Sequence, residues 1–178
     1  MDRGDIWISA VIYIGLGVIA ITLLIAAGIP LIEKMRDRNT FLQTKEVMHT
    51  LDRTVYDVVS EGPGSQRYLN PLEINGGFLS VPLANRGFFW TMETEAILQE
   101  PGATIQEGHL KITQRKDPLI VDLYHIDIVL QQYAQDKIFI YVNGGEDAVL
   151  TDLHGTFGLS ISNYGIINGR TVVNIDYV

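Results

Sequence analysis

The feature that most constrains this chain is a run of 27 residues, 6–32, without a single ionisable Asp, Glu, Lys, Arg or His. It reads IWISAVIYIGLGVIAITLLIAAGIPLI. As a helix it extends roughly 40 Å at about 1.5 Å per residue. A bilayer core needs about 20 such residues. The run is too long for the apolar core of a secretory signal peptide, and Glu33-Lys34-Met35-Arg36 follows it in place of a small-residue cleavage site. A retained transmembrane segment is therefore expected.

Small residues punctuate the run. Ala10, Gly17, Ala20 and Ala27 step by seven, three and seven, which keeps them near one side of a helix. Small side chains let helix backbones approach closely where lipid and helix are equally apolar. These four are the expected positions of helix packing in the apolar half. Pro30 cannot donate to the carbonyl of Ala26, so a kink is expected near it.

Helical periodicity continues beyond the run. Phe41, Leu42, Met48, Leu51, Val55, Val58 and Val59 recur at three- and four-residue steps, with Glu46, Asp52, Arg53 and Asp57 on a more polar side. Gly62-Pro63-Gly64 then stops the helix. Residues 5–61 are thus expected to form one helix, apolar all round over 6–32 and amphipathic afterwards. Its apolar stripe must be buried against the downstream domain or a neighbouring copy. Met48, Leu51 and Val55 are expected to carry helix packing in this lower half.

Residues 62–178 change character. Residues 72–74 and 78–81 flank Asn75-Gly76-Gly77 and read as a hairpin. Further strands are expected over 87–98, 109–115, 119–132, 137–143, 148–162 and 170–178, with turns at Asn143-Gly144-Gly145 and Asn168-Gly169. The 119–132 stretch has no clean period and is also compatible with helix. Turn signals at this spacing point to an α+β chain: a long N-terminal hydrophobic helix followed by an antiparallel β-sandwich-like domain.

Charge and composition narrow the function. The formal net charge is −8, and the β-rich part is acidic with no basic stripe. Such a surface repels phosphate backbones and anionic headgroups, which argues against nucleic-acid binding. There is no cysteine, so disulfides, thiolate metal sites and thiol nucleophiles are excluded together.

Chemical motifs are sparse. His49, His109, His125 and His154 are scattered, with no H-E-x-x-H. His125 and Asp127 share one strand face, the strongest acid–base candidate, although a polar strand face explains them as well. Asn143-Gly144-Gly145-Glu146-Asp147 offers oxygen ligands without EF-hand spacing, and reads as a hairpin turn. Phosphate-binding and nucleophile-elbow motifs are missing. Gly15-Leu16-Gly17 lies inside the apolar run, and Arg3-Gly4-Asp5 abuts it, so neither reads as a dinucleotide loop or an exposed adhesive tripeptide. The expectation is a non-enzymatic protein without cofactor or metal.

The N-terminus resembles archaeal type IV pilin-like proteins, the class of archaellins and adhesion pilins. The likeness rests on Met1-Asp2-Arg3-Gly4, a short polar leader with a basic residue before glycine, then Asp5, the apolar run, its amphipathic continuation and a β-rich domain. It covers about the first sixty residues. The resemblance implies a class III signal peptide over 1–4, cut between Gly4 and Asp5 by a prepilin peptidase-like enzyme. It further implies insertion in the membrane, then assembly into an extracellular homopolymeric filament for adhesion, with helices inside and β-domains outside. Ser9 stands where many bacterial pilins carry glutamate, which sets the chain apart from the bacterial type.

One feature points elsewhere. Lys34, Arg36 and Arg38 follow the apolar run, whereas Arg3 and the amino terminus precede it. The positive-inside tendency would place the β-domain in the cytoplasm. That orientation suits the alternative, a single-pass anchored binding or accessory module that does not polymerise.

Overall fold

The computed structural model describes residues 3–82, 87–130, 133 and 136–178, with the backbone alone over 3–9. One helix, α1 (Arg3–Glu61), is followed by eight strands. These are β1 (Gln66–Val81), β2 (Phe89–Thr94), β3 (Thr104–Glu107), β4 (Leu110–Lys116), β5 (Tyr124–Leu130), β6 (Ile138–Val142), β7 (Leu150–Ile167) and β8 (Arg170–Tyr177). The α+β class read from the sequence is the class observed.

Two compact units divide the chain at Met1–Arg36 and Asp37–Val178. Residues 37–61 of α1 thus belong to the same unit as the strands. From Arg3 the first unit is helix, which runs through Pro30. From Ala10 to Arg36 its side chains are exposed, with partial cover only at Gly28 among the described residues. Thr22 Oγ1 donates to the Val18 carbonyl at 2.8 Å, satisfying its hydroxyl within the helix.

The second unit begins with the rest of α1. Thr40, Phe41, Thr44, Met48, Leu51, Val55 and Val58 are buried, one stripe at helical spacing. Met48, Leu51, Val55 and Val58 are fully covered, each contributing about 1.5–3 kcal/mol by leaving water. The stripe joins a core cluster with Ile74 and Leu79 of β1, Trp90 of β2, Ile126 and Ile128 of β5, and Ile161 of β7. Met48, Leu51 and Val55, expected to carry helix packing, lie in this cluster; of the two partners open to the stripe, the chain's own sheet covers them, since the stripe and the sheet's inner face are both apolar and joined by a short connection.

The strands form one sheet in the order β3-β4-β5-β2-β1-β7-β8-β6. All neighbours are antiparallel except the edge pair β6 and β8. Asn168 and Gly169 both take positive φ (54° and 76°), as do Asn143 and Gly144 (47° and 75°), so both expected turns occur.

The expected hairpin at Asn75-Gly76-Gly77 does not. β1 runs straight through it, and the register with β7 shifts between Ile74 and Leu79. Gly76 and Gly77 pass beneath α1 and β2. Trp90 Nε1 donates to the Gly76 carbonyl at 3.0 Å. A Cβ on Gly76 would lie 2.9 Å from Thr40 Cγ2, and one on Gly77 would fall on the Thr91 carbonyl. Bare backbone is needed there for close approach, not for reversal. The 119–132 stretch also differs: 117–123 is a loop, and β5 starts only at Tyr124.

Candidate functional site

Three groups of polar side chains carry the chemistry of the head. The first latches α1 to the sheet. Lys45 Nζ lies 2.9 Å from Glu107, just before the β3–β4 turn, and His109 Nδ1 lies 2.9 Å from Asp52 Oδ2. Tyr133 donates to the other Asp52 oxygen at 3.1 Å, and Tyr56 donates to Asp136. The Tyr56 ring stands 4.9 Å from His109 and 5.9 Å from Tyr133. Burial, the Asp136 hydrogen bond and the Asp136 and Asp52 charges push the Tyr56 phenol well above its ordinary value. Burial first, then Asp52, does the same to Tyr133. Both hydroxyls are thereby kept as neutral donors. This constellation is invisible in the sequence except that Asp52 and Tyr56 are four apart on one helix face.

The second group lies on the outer sheet face, where alternation in β5 turns His125 and Asp127 away from the core residues Ile126 and Ile128. The expected shared face is therefore present. Asp127 accepts from Arg115 Nη2 at 2.6 Å and Nε at 3.0 Å, and from Thr91 Oγ1 at 2.8 Å. His125 Nε2 lies 2.8 Å from Asp117 Oδ2. Each residue is thus satisfied by a separate neighbour, an arrangement that ties β2, β4 and β5 together. A shallow depression of about 350 Å³, lined by Gly77, Phe78, Thr91, Met92, Glu93 and His125, opens beside them. No cluster of metal-ligating side chains occurs among the described residues.

The third group closes the far end of α1. Ser65 Oγ donates toward the Val58 and Gly62 carbonyls at 2.6 and 2.7 Å, and Asn163 Nδ2 donates to the Val58 carbonyl at 3.2 Å. These donors answer carbonyls that a helix end leaves unpaired. The Asn143–Asp147 segment is a tight turn, with Gly144 N donating to Asn174 Oδ1 at 2.7 Å.

Among the described residues, the apolar half of α1 shows no such partners. A stretch of it is long and apolar enough to cross a membrane, and none of that stretch is buried. Ala10, Gly17, Ala20 and Ala27 are all exposed, and a Cβ on Gly17 would meet open space. Gly4 and Asp5 lie in the first turns of α1, where the backbone alone is described, while Met1 and Asp2 lie outside the described residues. Comparison with models of protein families, with curated proteins and with solved structures finds no match.

Proposed function

We propose that the chain is a membrane-inserted structural subunit of a type IV pilus-like archaeal filament, without enzymatic activity. One observation carries this reading: the head completes its own core, while the described side chains of the apolar half of α1, from Ala10 onward, are exposed. A helix apolar all round is satisfied equally by lipid and by copies of itself. Ala10, Gly17, Ala20 and Ala27 are the positions for close approach between copies in the filament core. A head-to-tail array of such helices is an open, heterologous assembly. The pairing of His125 and Asp127 with separate structural partners supports a non-catalytic role.

Processing at Gly4–Asp5 and extracellular adhesion follow from the same reading. The N-terminus of the native protein tests it. A chain beginning at Asp5, with Gly4→Trp blocking both processing and filaments, is expected. Retained Met1 together with a monomer in detergent overturns it.

The positive flank at Lys34, Arg36 and Arg38 favours a second reading, a single-pass anchored module that never polymerises. It predicts that the head is reached by added protease only after the cells are opened.

A further inference from the structure

We infer that the depression on the outer sheet face binds a small organic cation, an ammonium group on a short apolar stem. The inference goes beyond the filament reading and does not depend on it, since every residue involved lies within the second compact unit.

The depression follows from how β1 parts from β2. Their ladder runs from Ser80 and Phe89 to Phe78 and Thr91 and ends there, while β2 continues beside β5 as far as Thr94 and Tyr124. The next residues of β1 are Gly77 and Gly76, which carry no side chains to fill the space. A notch of about 350 Å³ is left, lined by Gly77, Phe78, Thr91, Met92, Glu93 and His125. That size suits a small ligand.

Two of its walls differ in chemistry. One is Phe78, which is half exposed. His154 braces its ring at 5.7 Å between centroids, and His154 Nδ1 donates to the Gly77 carbonyl at 3.0 Å. The other wall is Glu93, the cross-strand partner of His125. Glu93 is exposed, and its carboxylate has no hydrogen bond or ion pair among the described residues. The neighbours that could have neutralised it are committed elsewhere. His125 Nε2 lies 2.8 Å from Asp117 Oδ2. Arg115, which pairs with His125 from the other side, gives its guanidinium to Asp127 at 2.6 and 3.0 Å.

These walls select among ligands. An anion would be repelled by Glu93. A neutral apolar molecule would cover the Phe78 ring but strip water from the carboxylate without replacing it. An ammonium group pairs with Glu93, and its charge is also attracted to the face of an aromatic ring. Its methylene stem covers the apolar part of the notch. A free amine and the lysine side chain of a peptide share this chemistry.

Methionine makes the site readable, because Met92 lies in its wall and Met48 in the core. The full chain, isotopically labelled at its methionine methyl groups, is titrated in non-ionic detergent with n-butylammonium at constant ionic strength. The expected result is a saturable shift of the Met92 resonance with a millimolar Kd and no shift at Met48. Glu93→Gln and Phe78→Leu are each expected to weaken binding by at least about three-fold, as is replacing the ligand with neutral n-butanol. Glu73→Gln, an exposed carboxylate outside the depression, should leave binding unchanged. Unaltered melting temperatures show that the variants remain folded. Putrescine and Nα-acetyl-lysine amide then separate the two sources: tighter binding of the first supports a free amine, and of the second a lysine side chain. A Met92 resonance that shifts without saturating overturns the site. Binding of n-butanol as tight as that of n-butylammonium, or unchanged binding in E93Q, overturns the assignment of a cation.

Discussion

Thr94 Oγ1 donates to the Asp37 carboxylate at 2.6 Å, at the first residue of the second compact unit. From there onward α1 is bonded to the sheet along its length. Gln43 meets Asn75, Lys45 meets Glu107, Asp52 meets His109, Tyr56 meets Asp136 and Val58 meets Asn163. The lower half of α1 is thus an internal part of the head rather than a stalk beneath it. Among the described residues the apolar half shows no comparable bonds, and its exposed side chains leave it to the surrounding medium or to other helices.

This division predicts that mutations in the two halves separate stability from assembly. Leu51→Ala removes a fully buried side chain and is expected to destabilise the head by about 2–5 kcal/mol. Ala20→Leu, on the exposed half, is expected to leave that stability within about 0.5 kcal/mol while impairing association of helices. Urea denaturation of the full chain in detergent, followed by the fluorescence of buried Trp90, checks the first. Equal loss of stability in both variants would show that the halves fold as one.

Gly77 should be intolerant of any side chain. It has φ of +69°, and an added Cβ would also stand 2.9 Å from Trp90 Nε1 and from Met92 Cβ. Strain and overlap act together, so Gly77→Ala is expected to destabilise by at least about 1 kcal/mol. Asn75→Ala, which loses only an exposed bond to Gln43, should cost less. Comparing their urea midpoints decides the matter.

The same segment shows where sequence reasoning reaches its limit. Asn75-Gly76-Gly77 and Asn143-Gly144-Gly145 are identical tripeptides between apolar runs. The second reverses the chain, with Val142 bridging to Gly145, and the first does not. Local conformational freedom is the same in both. What differs is the surroundings: β7 runs alongside the whole of β1, and α1 and Trp90 press on Gly76 and Gly77. The helix itself was legible, because its spacing and its Gly-Pro-Gly stop are local signals. That Met48 and Leu51 face the chain's own sheet was not, since periodicity identifies a buried face without identifying what buries it. The His125–Asp127 face followed from strand alternation alone. Its partners Arg115, Asp117 and Thr91 come from register between strands, and the Asp52–His109–Tyr133 latch comes from tertiary packing across 81 residues.

Tyr56 and Tyr133 should resist ionisation until the head unfolds. Both phenols are raised in the folded protein, by burial and by neighbouring carboxylates. A group raised on folding contributes stability that is complete below its unfolded value, about 10 for tyrosine. That contribution declines as the pH climbs through and past this value. In an alkaline titration followed by tyrosinate absorbance, Tyr56 and Tyr133 are expected to ionise in one cooperative step that coincides with loss of the folded circular dichroism. Ionisation of these two phenols while the folded signal persists would contradict the latch geometry.

Asp117 should give the opposite sign at the acid end. The His125 hydrogen bond, followed by the Leu119 and Ile120 amides, holds its carboxyl below the usual carboxylate range. A group lowered on folding contributes stability that is present above its unfolded value, about 4, and is lost as the pH falls through the folded one. Asp117→Asn is therefore expected to lower the melting temperature at neutral pH. The gap from the natural chain should shrink steadily below about pH 4, as the natural carboxyl also becomes neutral. Melting temperatures of both chains across an acid pH series measure it directly. A gap that stays constant down to the lowest pH would mean that the charge on Asp117 contributes nothing, and that the 117–123 loop is held by its backbone bonds alone.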